Sequence, residues 1–384
     1  MSNLSITPKL NETGTTIFTI MSKLAHEHNA INLGQGFPDF DGDNRLLELV
    51  SKYVKEGKNQ YCPLAGLPSL LQTIAEKAGR LYGISLDPSA QICVTAGATQ
   101  ALYTAIMALV NKGDEVIVIE PAYDCYKPQI ELAGGVPVPY TLMYPDYKID
   151  WEEMRSMISD KTRMIIINTP HNPSGTTLKK DDLAMLESLV SDKNIVVLSD
   201  EVYEHLIYDG EEHQSVMRYP KLFSQSLAVF SFGKTLHATG WKLGYIVGAE
   251  PLIKVFKTVH QWNVFCVNSF LQFAIADYLK DPGSYESLPD FFQAKRDTMN
   301  RLFEQVPMKP VVARGTYFQL FNYSDISDEN DTEFAKYLTA EVGVAAIPLS
   351  PFYTNPPGDK VVRLCFAKKE ETLKLAAERL MKLA

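Results

Sequence analysis

Residues 92–110 read ICVTAGATQALYTAIMALV, and the order of features within them decides the fold. Ile92–Thr95 is an apolar, β-branched run of strand length, Gly97 interrupts it, and Thr99–Val110 then carries its apolar residues at helical spacing. A strand that passes through glycine into a helix is the first half of a crossover unit, which leads to a parallel sheet. Six further runs continue the alternation: Glu115–Ile119, Val136–Tyr140, Met164–Asn168, Ile195–Ser199, Leu227–Phe232 and Tyr245–Gly248. Helical stretches lie between and after them, notably Asp181–Ser191 and one beginning at Pro251. The expectation is an α/β chain with a seven-stranded, mainly parallel sheet.

The surroundings set the domains. The chain has 384 residues, enough for two domains. After Pro282 the texture changes to an amphipathic helix at 288–306, short strands near Tyr317–Phe321 and Val361–Cys365, and a last helix with Leu373, Ala376, Leu380 and Leu383 on one face. This divides the chain into an N-terminal arm with part of a small domain at 1–43, a large domain at 44–281, and a smaller α+β domain at 282–384. No repeat or low-complexity tract interrupts the pattern.

Composition narrows the function. With 46% hydrophobic and 22% charged residues the chain reads as an ordinary globular protein. Its formal charge of −9 argues against nucleic-acid or membrane-surface binding, which need a basic face. Any bound anion must therefore meet a local positive site. The five cysteines are odd in number and contain no CxxC pair, so zinc or dithiol redox motifs are not expected, and no metal site is proposed. The apolar runs fall far short of the ~20 residues that cross a bilayer. The opening MSNLSITPKLNETG lacks a basic stretch followed by an apolar one, so a cytoplasmic location is expected.

Open parallel sheets bind ligands beyond the carboxyl ends of their strands. Three polar residues fall there: Asn172 in NTPHNPSG, Asp200 ending IVVLSD, and Lys234 ending LAVFSFGK. An amide, a carboxylate and an amine at one sheet edge make a site if their strands are neighbours. Each also has a plain reading: a surface lysine, an N-cap aspartate, a turn asparagine before Pro173.

The set NPSG, SDEVYEHL, SFGKTLHATGWKLGY and VVRLCFAKK resembles the fold-type I aminotransferases that depend on pyridoxal phosphate. TTIFTIMSKLA and NLGQGFPDF narrow this to the kynurenine aminotransferase subgroup with its bacterial methionine aminotransferases, and the likeness runs from about Gly14 to the C-terminus. The resemblance implies pyridoxal 5′-phosphate held by Lys234 as a Schiff base, with Lys234 also moving the α-proton. It gives Asp200 the pyridine nitrogen, and Tyr203 with Asn172 the phenolic oxygen. Tyr203, three positions beyond Asp200, is expected on the same helical side as Asp200. Ala98, Thr99, Ser231 and Lys242 would hold the phosphate, with Tyr61 reaching it from a partner subunit in a homodimer. Tyr123 would stack on the ring, or else be a packed strand-end tyrosine.

For the substrate, Arg363 would clamp the carboxylate, for which a planar two-pronged donor suits better than lysine. Gly36 would let backbone approach the same group. Phe18, Tyr126 and Phe265 would form an aromatic pocket, or else be core. No second arginine is placed for a distal carboxylate, so methionine, phenylalanine or kynurenine is expected as donor and a 2-oxo acid as acceptor, in a ping-pong reaction. β-Elimination from cysteine S-conjugates would use the same residues, and a regulatory protein without turnover is the reading outside enzymology. Gly233 and Lys242 stand where wider relatives carry serine and arginine.

Overall fold

The computed structural model describes residues 8–10 and 15–383. Most of the opening MSNLSITPKLNETG, Gly14 and part of the 1–43 arm therefore lie outside the described residues. All seven runs form one sheet. Its strands are β1 (Ile92–Thr95), β2 (Glu115–Glu120), β3 (Val136–Thr141), β4 (Thr162–Asn168), β5 (Val196–Asp200), β6 (Ser226–Ser231) and β7 (Gly244–Gly248). They lie in the order β1-β7-β6-β5-β4-β2-β3. Strand β7 runs against both β1 and β6, and every other neighbouring pair is parallel.

Period-two alternation explains why these runs are apolar throughout. Ile165 and Ile167 of β4 and Val197 of β5 enter one hydrophobic cluster, whereas Met164, Ile166, Val196 and Leu198 enter the other. Successive side chains point to opposite faces, and both faces are covered by helices. Each such side chain, fully buried, contributes roughly 1.5–3 kcal/mol. Helices Ala98–Leu109 and Glu250–Asn263 cover one face through Ala101, Leu102, Ala105, Ile106, Ile253 and Phe256.

The second domain holds a four-stranded antiparallel sheet in the order Ile347–Pro348, Val361–Cys365, Phe318–Asn322, Lys309–Val311. Helices Leu288–Leu302 and Glu370–Leu380 pack together against it. Ile31–Asn32 pairs in parallel with Val344–Ala345, so the helix Ile17–Glu27 and the strand after it join this domain. Among the described residues no helix is long and apolar enough to cross a membrane, and no group of three or more His, Cys, Asp or Glu is placed to hold a metal ion.

Candidate active site

Parallel register puts the ends of β4, β5 and β6 side by side. Asn168 pairs with Asp200, Asp200 pairs with Val229, and Ser231 closes β6 two residues later. The one-turn helix Phe232–Thr235 then carries Lys234 over the carboxyl edge. There a cavity of about 280 Å³ opens, walled on the other side by Gly36, Phe318 and Arg363 of the second domain. Asp200, Asn172 and Lys234, singled out along the chain, all line it.

Lys234 Nζ donates to the Tyr317 hydroxyl at 2.8 Å and to the Gly36 carbonyl at 3.3 Å. Burial lowers its amine to about 8, with Arg363 and Lys242 acting in the same direction and Cys365 and Asp200 opposing. Roughly a tenth of Lys234 is therefore neutral at pH 7, far more than of an ordinary lysine, and the neutral amine is the form a nucleophile or base needs. Burial in turn pushes Asp200 up to about 6, against the Tyr126 hydroxyl, which donates to Oδ2 at 2.6 Å, and the Val202 N–H, 3.3 Å from Oδ1. Asp200 stays a carboxylate at neutral pH.

Two sequence expectations change at this point. Residues 201–206 form successive turns rather than a helix, with the Glu204 N–H donating to Glu201 O and Leu206 N–H to Tyr203 O. Asp200 is thus no helix cap, and Tyr203 reaches the cavity by turn geometry. Glu201 and Glu204 point the other way, into the core. Glu201 accepts from Ser199 Oγ at 2.8 Å and from His213 Nε2 at 2.8 Å, and Glu204 pairs with buried Lys77 at 2.5 Å. Tyr126, expected in the substrate pocket, lies outside the cavity lining. It opens the helix Tyr126–Ala133, its ring joins the buried cluster beneath the sheet edge, and its hydroxyl holds Asp200 from below.

Arg363 is 1% exposed and, among the described residues, faces no carboxylate within salt-bridge distance. One terminal nitrogen donates to Asn172 Oδ1 at 2.7 Å and the other to Gly34 O at 3.0 Å, while Nε has no partner among the described residues. Its guanidinium lies 3.7 Å from the Phe318 ring centroid and 5.4 Å from that of Phe18. Burial lowers it to about 10, so it remains charged at neutral pH. A buried cation without a counterion is unfavourable by itself and favours an anionic ligand. Gly36 is required beside it, because a Cβ there would lie 2.6 Å from Phe318 Cζ.

At the far end of the cavity Gly97, at φ +80°, turns β1 into the helix Ala98–Leu109. The first N–H groups of a helix have no intrahelical acceptor and point outward, which suits an anion. Ala98, Thr99, Ser231 and Lys242 line this end. Tyr123 and Tyr203 line the middle, Tyr123 edge-on to Tyr126 at 6.0 Å and Tyr203 edge-on to Tyr317 at 5.2 Å. Burial raises both phenols well above their ordinary value.

Tyr61 and Phe265 do not line the cavity of their own chain. They pack edge-on to one another at 5.4 Å and are 83% and 48% exposed. Tyr317, Phe318, Asn168 and Gln35 belong to the cavity or its immediate support and were not foreseen. Tyr317 and Phe318 read only as strand residues, and the signal that could have found them is the RGT turn preceding them.

Comparison with known proteins agrees with this geometry. Residues 28–380 match the family of class I and II aminotransferases. The chain is 48% identical to the methionine aminotransferase of Escherichia coli strain K12 over 100% of both chains. It is 35% identical to human kynurenine–oxoglutarate transaminase 1, covering 94% of each. A crystal structure from Escherichia coli, for which a methionine aminotransferase function was identified, superposes with a TM-score of 0.97 at 48% identity, covering 99% of this chain and 100% of that one.

Proposed function

The chain belongs to the class I and II aminotransferases, and on that premise we propose that its amino donor is an apolar, aromatic or thioether L-amino acid such as methionine, phenylalanine or kynurenine. Its activity is pyridoxal-phosphate-dependent transfer of an amino group from an amino acid to a 2-oxo acid. The residues present fit that cofactor. An amine of lowered pKa, a buried carboxylate, a helix N-terminus with Ser231 and Lys242, and an unpartnered guanidinium Nε share one cavity. When bound, pyridoxal phosphate supplies an electron sink for the bond broken at the substrate α-carbon.

In this reading Lys234 would hold the cofactor covalently, and its neutral amine would take the proton from the substrate α-carbon. Asp200 would partner the ring nitrogen, Tyr203 and Asn172 the phenolic oxygen, and Tyr123 the ring. Ala98, Thr99, Ser231 and Lys242 bind the phosphate. Arg363 binds the substrate carboxylate through its fork, steadied by Asn172 and Gly34.

One observation carries the substrate class. Among the described residues Arg363 is the single arginine lining the cavity, and the aromatic faces of Phe18 and Phe318 surround it. A distal carboxylate would find no partner there. A homodimer is the proposed working form, supported by the exposure of Tyr61 and Phe265 on a surface that would bring them to a neighbour's cavity. A cytoplasmic location is proposed on the five unpaired thiols.

The test is a half-reaction followed by visible absorbance, with no oxo acid present. L-Methionine and L-phenylalanine should bleach the cofactor band, and a 2-oxo acid should restore it. L-Aspartate should react on the order of a hundredfold more slowly, because its second carboxylate would be buried unpaired. Aspartate reacting as fast as methionine would sink the donor assignment.

A further inference from the structure

Of the five thiols, Cys93 and Cys365 are buried in the two cores and Cys125 precedes the helix Tyr126–Ala133 beneath the cavity. The remaining two, Cys62 and Cys266, are partly exposed and come together from loops two hundred residues apart in sequence. Contacts on either side of them fix the meeting. Ser269 Oγ donates to Gln60 O at 2.5 Å, Tyr61 packs edge-on to Phe265 at 5.4 Å, and Cys62 Sγ donates to Val267 O at 3.2 Å. Gln272 ties the same loops, donating to Cys62 Sγ at 3.0 Å and Val267 O at 2.9 Å and accepting from Leu67 N at 2.8 Å. Cys266 thus lies between the two residues that touch Tyr61 and Cys62.

We propose that Cys62 and Cys266 form a dithiol modification site, closed to a disulfide by a hydroperoxide, that pins together the loops presenting Tyr61 and Phe265. In the first step the Cys62 thiolate attacks the terminal peroxide oxygen. An S–O bond forms, the O–O bond breaks, and the alcohol departs with the proton. In the second, the Cys266 sulfur attacks Cys62, an S–S bond forms, and the displaced hydroxide leaves with the Cys266 proton as water. Two thiols lose two electrons, and one hydroperoxide becomes an alcohol and a water. Burial and the neighbouring Cys62 raise the Cys266 thiol; the first attack is given to Cys62, whose sulfur already accepts from Gln272 Nε2 at 3.0 Å.

The effect on turnover rests on the reading above that Tyr61 and Phe265 serve a partner's cavity, whereas the cross-link does not. The holoenzyme is treated with hydrogen peroxide, digested without reductant and analysed by mass spectrometry. The expected product is a joined pair of peptides containing Cys62 and Cys266, two hydrogens lighter than their sum and separated by dithiothreitol. Cys62→Ser and Cys266→Ser should each abolish it. Separate sulfinic acids on both cysteines, or no reaction at either, would overturn the proposal. In parallel, peroxide should change the KM for the amino donor by about two- to fivefold in the wild type and leave the double serine variant unchanged. A joined peptide with unmoved KM would uphold the dithiol and overturn the placing of Tyr61 and Phe265 at the partner's cavity.

Discussion

Lys234, Asp200 and Arg363 at the floor of the cavity differ in one respect from Tyr61, Trp262 and Phe265, which stand exposed on the surface outside its lining. The floor residues are held from within: Lys234 by Tyr317 and Gly36, Asp200 by Tyr126 and Val202, Arg363 by Asn172 and Gly34. The outer aromatics are 83%, 84% and 48% exposed, and the pair Tyr61–Phe265 meets chiefly itself. One fold has finished the chemistry of the floor and left large apolar groups in water elsewhere on its surface. Single exposed apolar residues are ordinary, but two aromatics packed on one another in the open, Tyr61 and Phe265, mark a surface to be covered. The floor should therefore break when its own contacts are cut, and the outer side only when a second copy is disturbed.

The largest expected effect is at Arg363. Lysine offers one compact charge in place of a planar fork, so Arg363→Lys leaves Asn172 Oδ1 or Gly34 O without its donor and meets a carboxylate with one prong. A buried acceptor left unpaired costs about 1–3 kcal/mol. Steady-state kinetics should show kcat/KM lower by about 10- to 100-fold, most of it in the KM for the amino donor. An unchanged KM would mean that the carboxylate binds elsewhere.

A smaller effect is expected one layer below. Tyr126→Phe removes the strongest donor to Asp200, and Asp200, at about 6 in the wild type, should rise further. An acid whose folded pKa is raised holds its proton to higher pH, so activity that needs the carboxylate is lost sooner as pH falls. The acid limb of the pH profile should move upward by up to about one unit, for a loss of about twofold near neutrality that approaches tenfold below pH 5. Stability of the cofactor-free protein gives an independent reading. A raised carboxylate leaves stability intact below the unfolded value of 3.8 and reduces it as pH rises through 6, so Tyr126→Phe should destabilise more at pH 7.5 than at pH 4. A variant equally destabilised at both would show that Tyr126 matters only for packing.

These contrasts also mark what could be seen along the chain. The seven strands were legible because burial on both faces demands continuous apolar runs, and Lys234 and Asp200 because polar groups directly after such runs have few other reasons to be there. Tyr126 was misplaced because an aromatic at a helix start can turn toward the cavity or beneath it, and only the packing of Val118 and Val196 decides. The turns at 201–206 read as helix because their fixing partners, Lys77 and His213, are distant or local in ways no periodicity reports. Tyr317 was invisible for the same reason, since its partner Lys234 is 83 residues away.

Tyr61 sharpens the comparison from the other side. Its hydroxyl touches nothing that the floor uses, so within one chain Tyr61→Phe should be silent: the fold, the Lys234 environment and the donor KM of an isolated subunit do not depend on it. In a dimer that brings Tyr61 to a neighbour's phosphate site, loss of one neutral hydrogen bond to a charged group is worth about 1.5–3 kcal/mol at most, and less at an edge that water reaches. Cofactor affinity, measured by fluorescence on rebinding, should weaken by about three- to tenfold with kcat little changed. The defect should also follow the subunit contact rather than the chain. Hybrid dimers of Tyr61→Phe with Arg363→Lys subunits should contain one cavity with both faults and one with neither, and so recover about half the wild-type activity per dimer. Homodimeric Arg363→Lys has no such intact cavity. Hybrids in which every cavity carries one fault would show that each chain's Tyr61 serves its own site, and the division between a self-sufficient floor and a borrowed rim would fall.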